Sequence, residues 1–294
     1  MLDYQLVEAF AAVLEEKGFA RAAERLCVTQ SAVSQRVKQL EETLGKTLVL
    51  RESPPKATPA GEALFRQYRQ LLSLEQETLD MMGATGGRAP RIQIAVNVDS
   101  LHSWFMEALA SVAPGRFLSV EIMTAGHART IELLRSGAVA GCVASDRDAL
   151  DSCTVSPLGR LRYALVASGR FAAEHFRGGF TCESAARAPV VNLDRDDDMQ
   201  RRALYEAFGD SRPDPPAHCF PTTDSYLAAI RAGLGYGLVP LIKVAAEIEA
   251  GSLVELDSAL RTELPLYWHA WKHRSDAFAS FSDDIVAAAR AVLK

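Results

Sequence analysis

Residues 83–90, Gly-Ala-Thr-Gly-Gly-Arg-Ala-Pro, divide the chain into two parts with different hydrophobic periods. Glycine and proline at that density interrupt helix and strand alike, so 83–90 reads as a linker. Before it, apolar residues recur every three to four positions, the period of a helix. Beyond it, strand-like and helix-like runs alternate, which predicts an α/β domain. The 294 residues suffice for a small domain followed by a larger one. Strands are expected at 92–98, 119–124, 139–145, 163–167, 190–193, 218–221, 235–239 and 265–271. Helices are expected at 101–112, 129–136, 199–208, 225–232, 241–250 and 276–293.

Residues 1–59 form the first domain. A helix is expected over 4–16, where Leu6, Val7, Phe10, Val13 and Leu14 share one face, and Gly18 ends it. A short helix over 19–26 carries small Ala22 and Ala23 where helices must approach closely. Thr29 is placed to cap a third helix over 31–44, and Gly45 to stop it. Val33, Val37, Leu40 and Leu44 make a single apolar stripe on that helix. At about 100° per residue, Ser31, Gln35 and Lys38 point away from the stripe, with Ser34 on one flank and Arg36 on the other. Serine and glutamine can bond base edges, while lysine and arginine neutralise phosphate or read guanine. The same pattern also describes an ordinary bundle helix with a solvated face.

The segment after this helix separates the two readings. Residues 48–51 read as a strand, Ser53-Pro54-Pro55-Lys56 as a rigid turn, and Thr58-Pro59-Ala60-Gly61 as the start of another helix. A helix-turn-helix succeeded by this turn makes a winged motif, with Arg51 and Lys56 flanking the wing. The net charge is −5, and between residues 30 and 58 Arg36, Lys38, Lys46, Arg51 and Lys56 face only Glu41, Glu42 and Glu52. That local excess is modest, but phosphate contact requires only a local one.

The run Ala22-Ala23-Glu24-Arg25-Leu26-Cys27-Val28-Thr29-Gln30-Ser31-Ala32-Val33-Ser34-Gln35-Arg36-Val37-Lys38-Gln39-Leu40-Glu41, continued by Leu44-Gly45, Arg51 and Thr58-Pro59-Ala60-Gly61, resembles the LysR-type transcriptional regulators. The resemblance implies double-stranded DNA as a partner. It matches the family's groove-facing positions to Gln30, Ser31, Ser34 and Gln35, and places Arg51 and the Pro55 region on the wing.

Residues 60–82 form a long amphipathic stretch with Ala63, Leu64, Tyr68, Leu71, Leu72, Leu74 and Met81 along it. A lone helix cannot bury such a face. The partner is either its own domain or a second subunit, and the resemblance favours a homodimer, with homotetramers common among similar proteins. A twofold dimer would set two recognition helices about 34–36 Å apart.

The α/β region, 91–294, fits two subdomains joined by two crossovers, as in periplasmic-binding-protein-like effector domains. Residues 91–163 with 265–294 would form one and 164–264 the other. A ligand belongs in the cleft between them, near helix N-termini whose free N–H groups hold carboxylates. Asp99-Ser100, Thr222-Thr223-Asp224 and the acidic run with Asp197 and Asp198 each precede a helix. Helix starts attract an α-carboxylate and clustered aspartates a cation, and a basic amino acid carries both charges. Ser, Thr and Asp at such positions are also ordinary caps, which alone accounts for Ser100, Thr223 and Asp198. Asn97-Val98-Asp99-Ser100-Leu101, Gly141-Cys142-Val143-Ala144-Ser145, Asp197-Asp198-Met199 and Leu266-Tyr267-Trp268-His269 resemble the ArgP branch of the family. That implies lysine or arginine as effector and control of basic amino-acid export or related genes. Met106-Glu107 and Asn192-Leu193 depart from that pattern.

Other classes find less support. Hydrophobic residues at 48% and charged residues at 23% fit a soluble globular protein. No apolar run approaches the ~20 residues that span a bilayer, so no membrane partner is expected. The first residues lack a secretory signal, so the chain reads as cytoplasmic. That and the winged motif speak against the alternative of a stand-alone solute-binding protein, while a regulator of another small-molecule effector stays open. Cys27, Cys142, Cys153, Cys182 and Cys219 are widely spaced, which suits reduced, mostly structural thiols. His269 and His273 have helical metal-ligand spacing but lie in a stretch that reads as a strand. Gly233-Leu234-Gly235-Tyr236-Gly237 follows a helix and enters a strand, the reverse of a nucleotide-binding loop. No nucleophile elbow or other catalytic set occurs, so neither an enzyme nor a cofactor is expected.

Overall fold

The computed structural model describes residues 2–81, 91–114, 119–148, 150, 152–193, 195, 198–272 and 276–293. The expected linker at 83–90 and His273 lie outside the described residues.

Three helices open the chain, α1 (Tyr4–Glu15), α2 (Phe19–Arg25) and α3 (Gln30–Leu44). Their apolar faces meet around Phe10, which is fully buried with Val13, Val33 and Leu40. Ala22 and Ala23 are buried where α2 meets the others, the close approach their small side chains allow. Thr29 caps α3 by accepting the Ala32 N–H at 3.2 Å, and Gly45 ends it at φ 62°. Leu44 does not continue the buried stripe. It is 37% exposed, because it sits in the last turn beside the left-handed cap, where the chain leaves the core.

The wing is the antiparallel pair β1 (Val49–Leu50) and β2 (Lys56–Ala57), with Val49 opposite Ala57. Thr58 then fixes the entry to α4 (Pro59–Met81). Its N–H donates to Leu48 O at 2.9 Å, its hydroxyl donates to Thr47 O at 2.7 Å, and the same oxygen accepts the Gly61 N–H at 3.1 Å. Pro59 fills the first helical position, where a missing N–H costs nothing. Gly61 lies so close to the Leu48 carbonyl that a Cβ would collide with it.

One row of α4 packs on the first domain. Tyr68 is buried, Phe65 meets the Phe10 ring edge-on at 6.3 Å, and Leu64 and Leu72 join the same core. Glu15 bridges Arg25 on α2 and Arg69 on α4, and Tyr4 donates to Glu75 at 3.2 Å. Leu71, Leu74 and Leu79 are exposed; Leu71 and Leu74 lie to one side of the packed row, while Leu79 continues it beyond the core. Both readings of the stretch therefore find residues on the one helix. The Met81 side chain lies outside the described set.

The remaining elements are β3 (Arg91–Asn97), α5 (Val98–Ser100), a π-turn over Leu101–Phe105, α6 (Met106–Val112), β4 (Ser119–Ala125), α7 (His127–Arg135) and β5 (Gly141–Ala144). Next come β6 (Cys153–Ser168), α8 (Gly169–His175), α9 (Cys182–Arg187), β7 (Val190–Asn192), α10 (Met199–Phe208) and β8 (Ala217–Cys219). The chain closes with α11 (Thr223–Arg231), β9 (Gly237–Pro240), α12 (Leu241–Glu249), β10 (Leu253–Glu255), β11 (Thr262–Trp271) and α13 (Asp276–Val292). Helices α8 and α9 are not expected from sequence, since 7 and 6 residues give too little periodicity to read.

Strands β4, β3 and β5 are parallel, and β11 and then β6 continue the sheet antiparallel. The second half of β6 pairs with β9 on one side and β10 on the other. A bridge from Val190 to Tyr236 adds the parallel pair β7 and β8. Strands β6 and β11 thus form one antiparallel ribbon within a continuous sheet, β6 running on to pair with β9 and β10, and the boundaries expected at 163/164 and 264/265 fall inside these two strands.

Strand β6 begins ten residues before its expected start at 163. Pro157 and Gly159 suggest a turn there, but both are absorbed at a register shift opposite Leu266 and Tyr267. The core under this sheet is built on Trp104, Trp268, Phe281 and Ile285, each at most 2% exposed.

His269 lies in β11, fully buried, with Nε2 bonded to Asp146 O at 2.8 Å. Burial holds its pKa below the usual imidazole value. Among the described residues no group of three or more metal-ligating side chains converges, and no helix is long and apolar enough to cross a membrane. Cys142 and Cys153 are buried, and burial pushes the Cys153 thiol up to about 11. Cys27 and Cys219 are exposed, so the expectation of structural thiols does not extend to them.

Candidate functional site

The polar face of α3 forms where sequence periodicity places it. Gln30, Ser31, Gln35 and Lys38 are exposed, Ser34 and Arg36 are half-buried on the flanks, and Val33, Val37 and Leu40 lie behind. Ser31 Oγ rests 2.9 Å from Thr29 Oγ1, so the cap and the first turn present one hydroxyl pair. Lys38 pairs with Glu42 at 3.5 Å and Lys56 with Glu52 at 3.1 Å. Both pairs are exposed and weak, of order 0–1 kcal/mol, and phosphate can replace the carboxylate partner. Arg51 is exposed on the wing with its guanidinium 5.8 Å from the Phe19 ring centre, while Pro55 is half-buried.

Glu41 has a role that charge counting does not reveal. Its Oε1 accepts the Leu48 and Val49 N–H groups at 2.7 and 3.2 Å, joining α3 to the wing. Glu41→Ala is expected to leave both donors unpaired. Buried unsatisfied groups cost about 1–3 kcal/mol, and the low end applies here because the site is half-buried. Denaturant unfolding would measure it, and an unchanged midpoint would rule out the bracing role.

The second cluster sits at the carboxyl ends of parallel strands, where open α/β sheets hold ligands. At the end of β3, Asn97 caps α5 by accepting the Ser100 N–H at 2.8 Å. Ser100 is therefore not the cap that its position suggests. The helix starts three residues earlier, and Ser100 lies in its first turn, fully buried. Asp99, the residue before it, accepts the Tyr163 hydroxyl at 2.7 Å. This draws a residue of the crossover ribbon to the mouth of the first subdomain.

Across the crossover, Thr222 rather than Thr223 caps α11, in a reciprocal box with Ser225. Asp224 lies in the first turn of that helix. Gln200 on α10 donates to Val191 O and to the Tyr226 hydroxyl, each at 2.8 Å, and Tyr226 donates to Leu238 O at 2.8 Å. These bonds lock α10, α11, β7 and β9 together. Among the described residues, Ser100 Oγ, Asn192 Oδ1, Gln200 Oε1 and Thr223 Oγ1 are buried without a hydrogen-bond partner. Such atoms are costly unless something bonds to them.

Asp198 precedes α10 but does not cap it. Its carboxylate instead pairs with Arg202 at 2.8 Å and Arg201 at 3.7 Å on the same helix. That neutralises much of the charge expected of the acidic run, and Asp197 lies outside the described residues. An open groove of about 610 Å³ lies between the π-turn, β4 and α12, lined by Leu101, Met106, Ile122 and Ile242 among others. Among the described residues, none of the candidate effector residues lines it. Sequence reading missed Asn97, Glu41, Gln200 and Tyr163. Asn97 carried a readable signal, an Asn directly before a helix start. Tyr163 carried none, since its partner is 64 residues away.

A winged helix-turn-helix, a long helix and a two-lobed α/β module with polar strand ends together define a DNA-binding regulator with a separate effector domain. Residues 4–62 match the bacterial regulatory helix-turn-helix protein family, lysR, and residues 85–290 match the LysR substrate binding domain. The transcriptional regulator ArgP of Vibrio parahaemolyticus is 37% identical over 287 residues, covering 97% of this chain and 96% of that protein. The crystal structure of ArgP from Mycobacterium tuberculosis superposes with a TM-score of 0.86 at 41% identity, over 98% of each chain. Full-length LysG from Corynebacterium glutamicum with bound effector Arg gives a TM-score of 0.80 at 30% identity, again over 98% of each chain. The chain belongs to the LysR family of bacterial transcriptional regulators.

Proposed function

We propose that this regulator responds to lysine or arginine and controls basic amino-acid export or related genes, working in the cytoplasm as a homodimer or homotetramer. The observation that carries this reading is Asp99, a carboxylate fixed by Tyr163 beside the buried hydroxyl of Ser100 at the end of β3. A basic amino acid supplies a cation for Asp99 and polar groups for Ser100 and Thr223, while the N-terminal turn of α11 at Thr222 and Asp224 faces its remaining atoms. Asp197 and Asp198 add a weaker field, since Asp198 already serves two arginines. The arginine-bound relative supports the same ligand class. The subdomains on this reading divide near 163/164 and 264/265, so that closure bends the β6–β11 ribbon. The exposed Leu71, Leu74 and Leu79 pair with a second copy of α4.

On DNA, Gln30, Ser31, Ser34 and Gln35 read bases, Arg36 and Lys38 contact the flanking backbone, and Arg51, Pro55 and Lys56 set the wing against the duplex. Ser34→Ala is expected to weaken specific operator binding by about 1–3 kcal/mol if its hydroxyl reads a base. A mobility shift on the region upstream of the gene and of neighbouring export genes would measure this, and unaltered affinity removes Ser34 from the readers. Calorimetry with arginine, lysine and neutral amino acids tests the effector. Heat from neither basic amino acid would defeat the assignment.

A further inference from the structure

Helix α4 belongs to the first domain, yet one of its arginines reaches the effector domain. Arg66 Nη1 donates to the carbonyl of Arg135, the last residue of α7, at 3.4 Å. The same guanidinium lies 5.8 Å from the centre of the Trp271 ring. A cation is favoured at both places, by the negative end of a helix and by the face of an indole.

Gly137, just past α7, makes the approach close. With φ at 72°, a Cβ there would stand 3.2 Å from Arg66 Cα and 3.5 Å from Arg69 Cδ. The backbone of α4 therefore rests directly on the turn. Trp271 is itself fixed, 4% exposed, with its indole N–H donating to Val139 O at 3.2 Å.

Trp271 pairs with Cys153 at one end of the β6–β11 ribbon, and Arg66 is close enough for its charge to oppose the rise that burial imposes on the Cys153 thiol. The other end pairs Thr262 with Tyr163, whose hydroxyl holds Asp99. The β11 side of this ladder is ten residues long, so roughly 30 Å separates the two ends. One continuous ladder thus runs from the candidate effector site to the linker helix that carries the DNA-binding domain.

We propose that the seat of Arg66 on Trp271, Arg135 and Gly137 is the contact through which the effector cleft biases the position of the winged helix. Bending or twisting of the ribbon at Tyr163 displaces Trp271 and the Gly137 turn, and so favours or releases the docked α4. The two-state element is the dock, engaged or released, and ligand acts on it only through different affinity for the two states. This rests on the effector-cleft reading above.

The test uses the full-length protein and Arg66→Ala, with Arg66→Lys and Gly137→Ala as companions. Arginine affinity by calorimetry, operator affinity with and without saturating arginine, and hydrogen exchange over 60–72 and 133–138 would be measured. Arginine affinity should persist in Arg66→Ala, while the ratio of the two operator affinities, typically about 5–150-fold in coupled systems, collapses toward one. Exchange over 133–138 should rise. Arg66→Lys should lie between, keeping the charge without the planar stack. An unchanged ratio and unchanged exchange in Arg66→Ala would overturn the proposal, as would a wild-type ratio of one despite arginine binding. If the wild type binds no basic amino acid, the effector assignment fails separately. Ligand-free Arg66→Ala then decides. A shift of about fivefold or more in operator affinity with lost protection supports the dock, and no shift overturns it.

Discussion

Phe10→Ala is expected to abolish operator binding while leaving the effector domain able to bind its ligand. Phe10 is fully buried, meets Phe65 edge-on, and lies in one cluster with Val13, Val33 and Leu40. Truncating a core phenylalanine costs about 3–5 kcal/mol through lost transfer energy and the cavity left behind. A unit of roughly 60 residues holds only about 3–9 kcal/mol at ~0.05–0.15 kcal/mol per residue. The loss is thus comparable to the total stability of the winged helix. Calorimetric unfolding should show the effector-domain transition near its original temperature and the winged-helix transition displaced or missing. Ligand titration should be unaffected, and an unperturbed mobility shift would contradict the prediction. Val33→Ala, on the back of α3, should act in the same direction but less strongly, because fewer atoms are removed.

Asp99→Asn should sharply reduce affinity for arginine without unfolding the protein. The substitution keeps the size and an acceptor for the Tyr163 hydroxyl, so the local packing persists. It removes the negative charge offered to a cationic ligand. Losing one partner of a hydrogen-bonded charge pair that the ligand buries costs about 2–5 kcal/mol, or roughly 30- to 4,000-fold in Kd at 1.4 kcal/mol per decade. Thermal unfolding of the ligand-free variant should differ little from wild type. Equal arginine affinity in the two proteins would remove Asp99 from the site. Tyr163→Phe offers a graded comparison. It frees the carboxylate from its hydroxyl donor and should weaken binding less, through lost positioning rather than lost charge.

Legibility tracked the range of the interactions. Elements of the first domain were readable because their determinants are local. The α3 stripe repeats at three and four residues, Thr29 bonds three residues ahead, and Gly45 supplies a backbone conformation that few other residues tolerate. The single misplacement there, Leu44, came from extending periodicity into a last turn that had no core to face. In the effector domain most helices and the short strands other than β10 were legible to within a few residues. The length of β6 was not, because Pro157 and Gly159 carry the local signal of a turn and only the partner strand shows that a bulge absorbs them. Caps were legible as a class but assigned one to three positions late, with Ser100 and Thr223 standing where Asn97 and Thr222 do the capping.

The sequence by itself determined the order of the domains, the recognition helix with its polar face, the wing turn and the alternation that makes the second domain α/β. All of these arise from patterns within one or two turns of chain. Only the tertiary structure decided that Glu41 braces the wing, that Tyr163 fixes Asp99, that Asp198 pairs with its own helix, and that Arg66 rests on Trp271. Three of these four contacts join different elements and the fourth depends on rotamer choice. Side-chain spacing along a chain limits which face a residue occupies, but it does not say what the fold brings to that face.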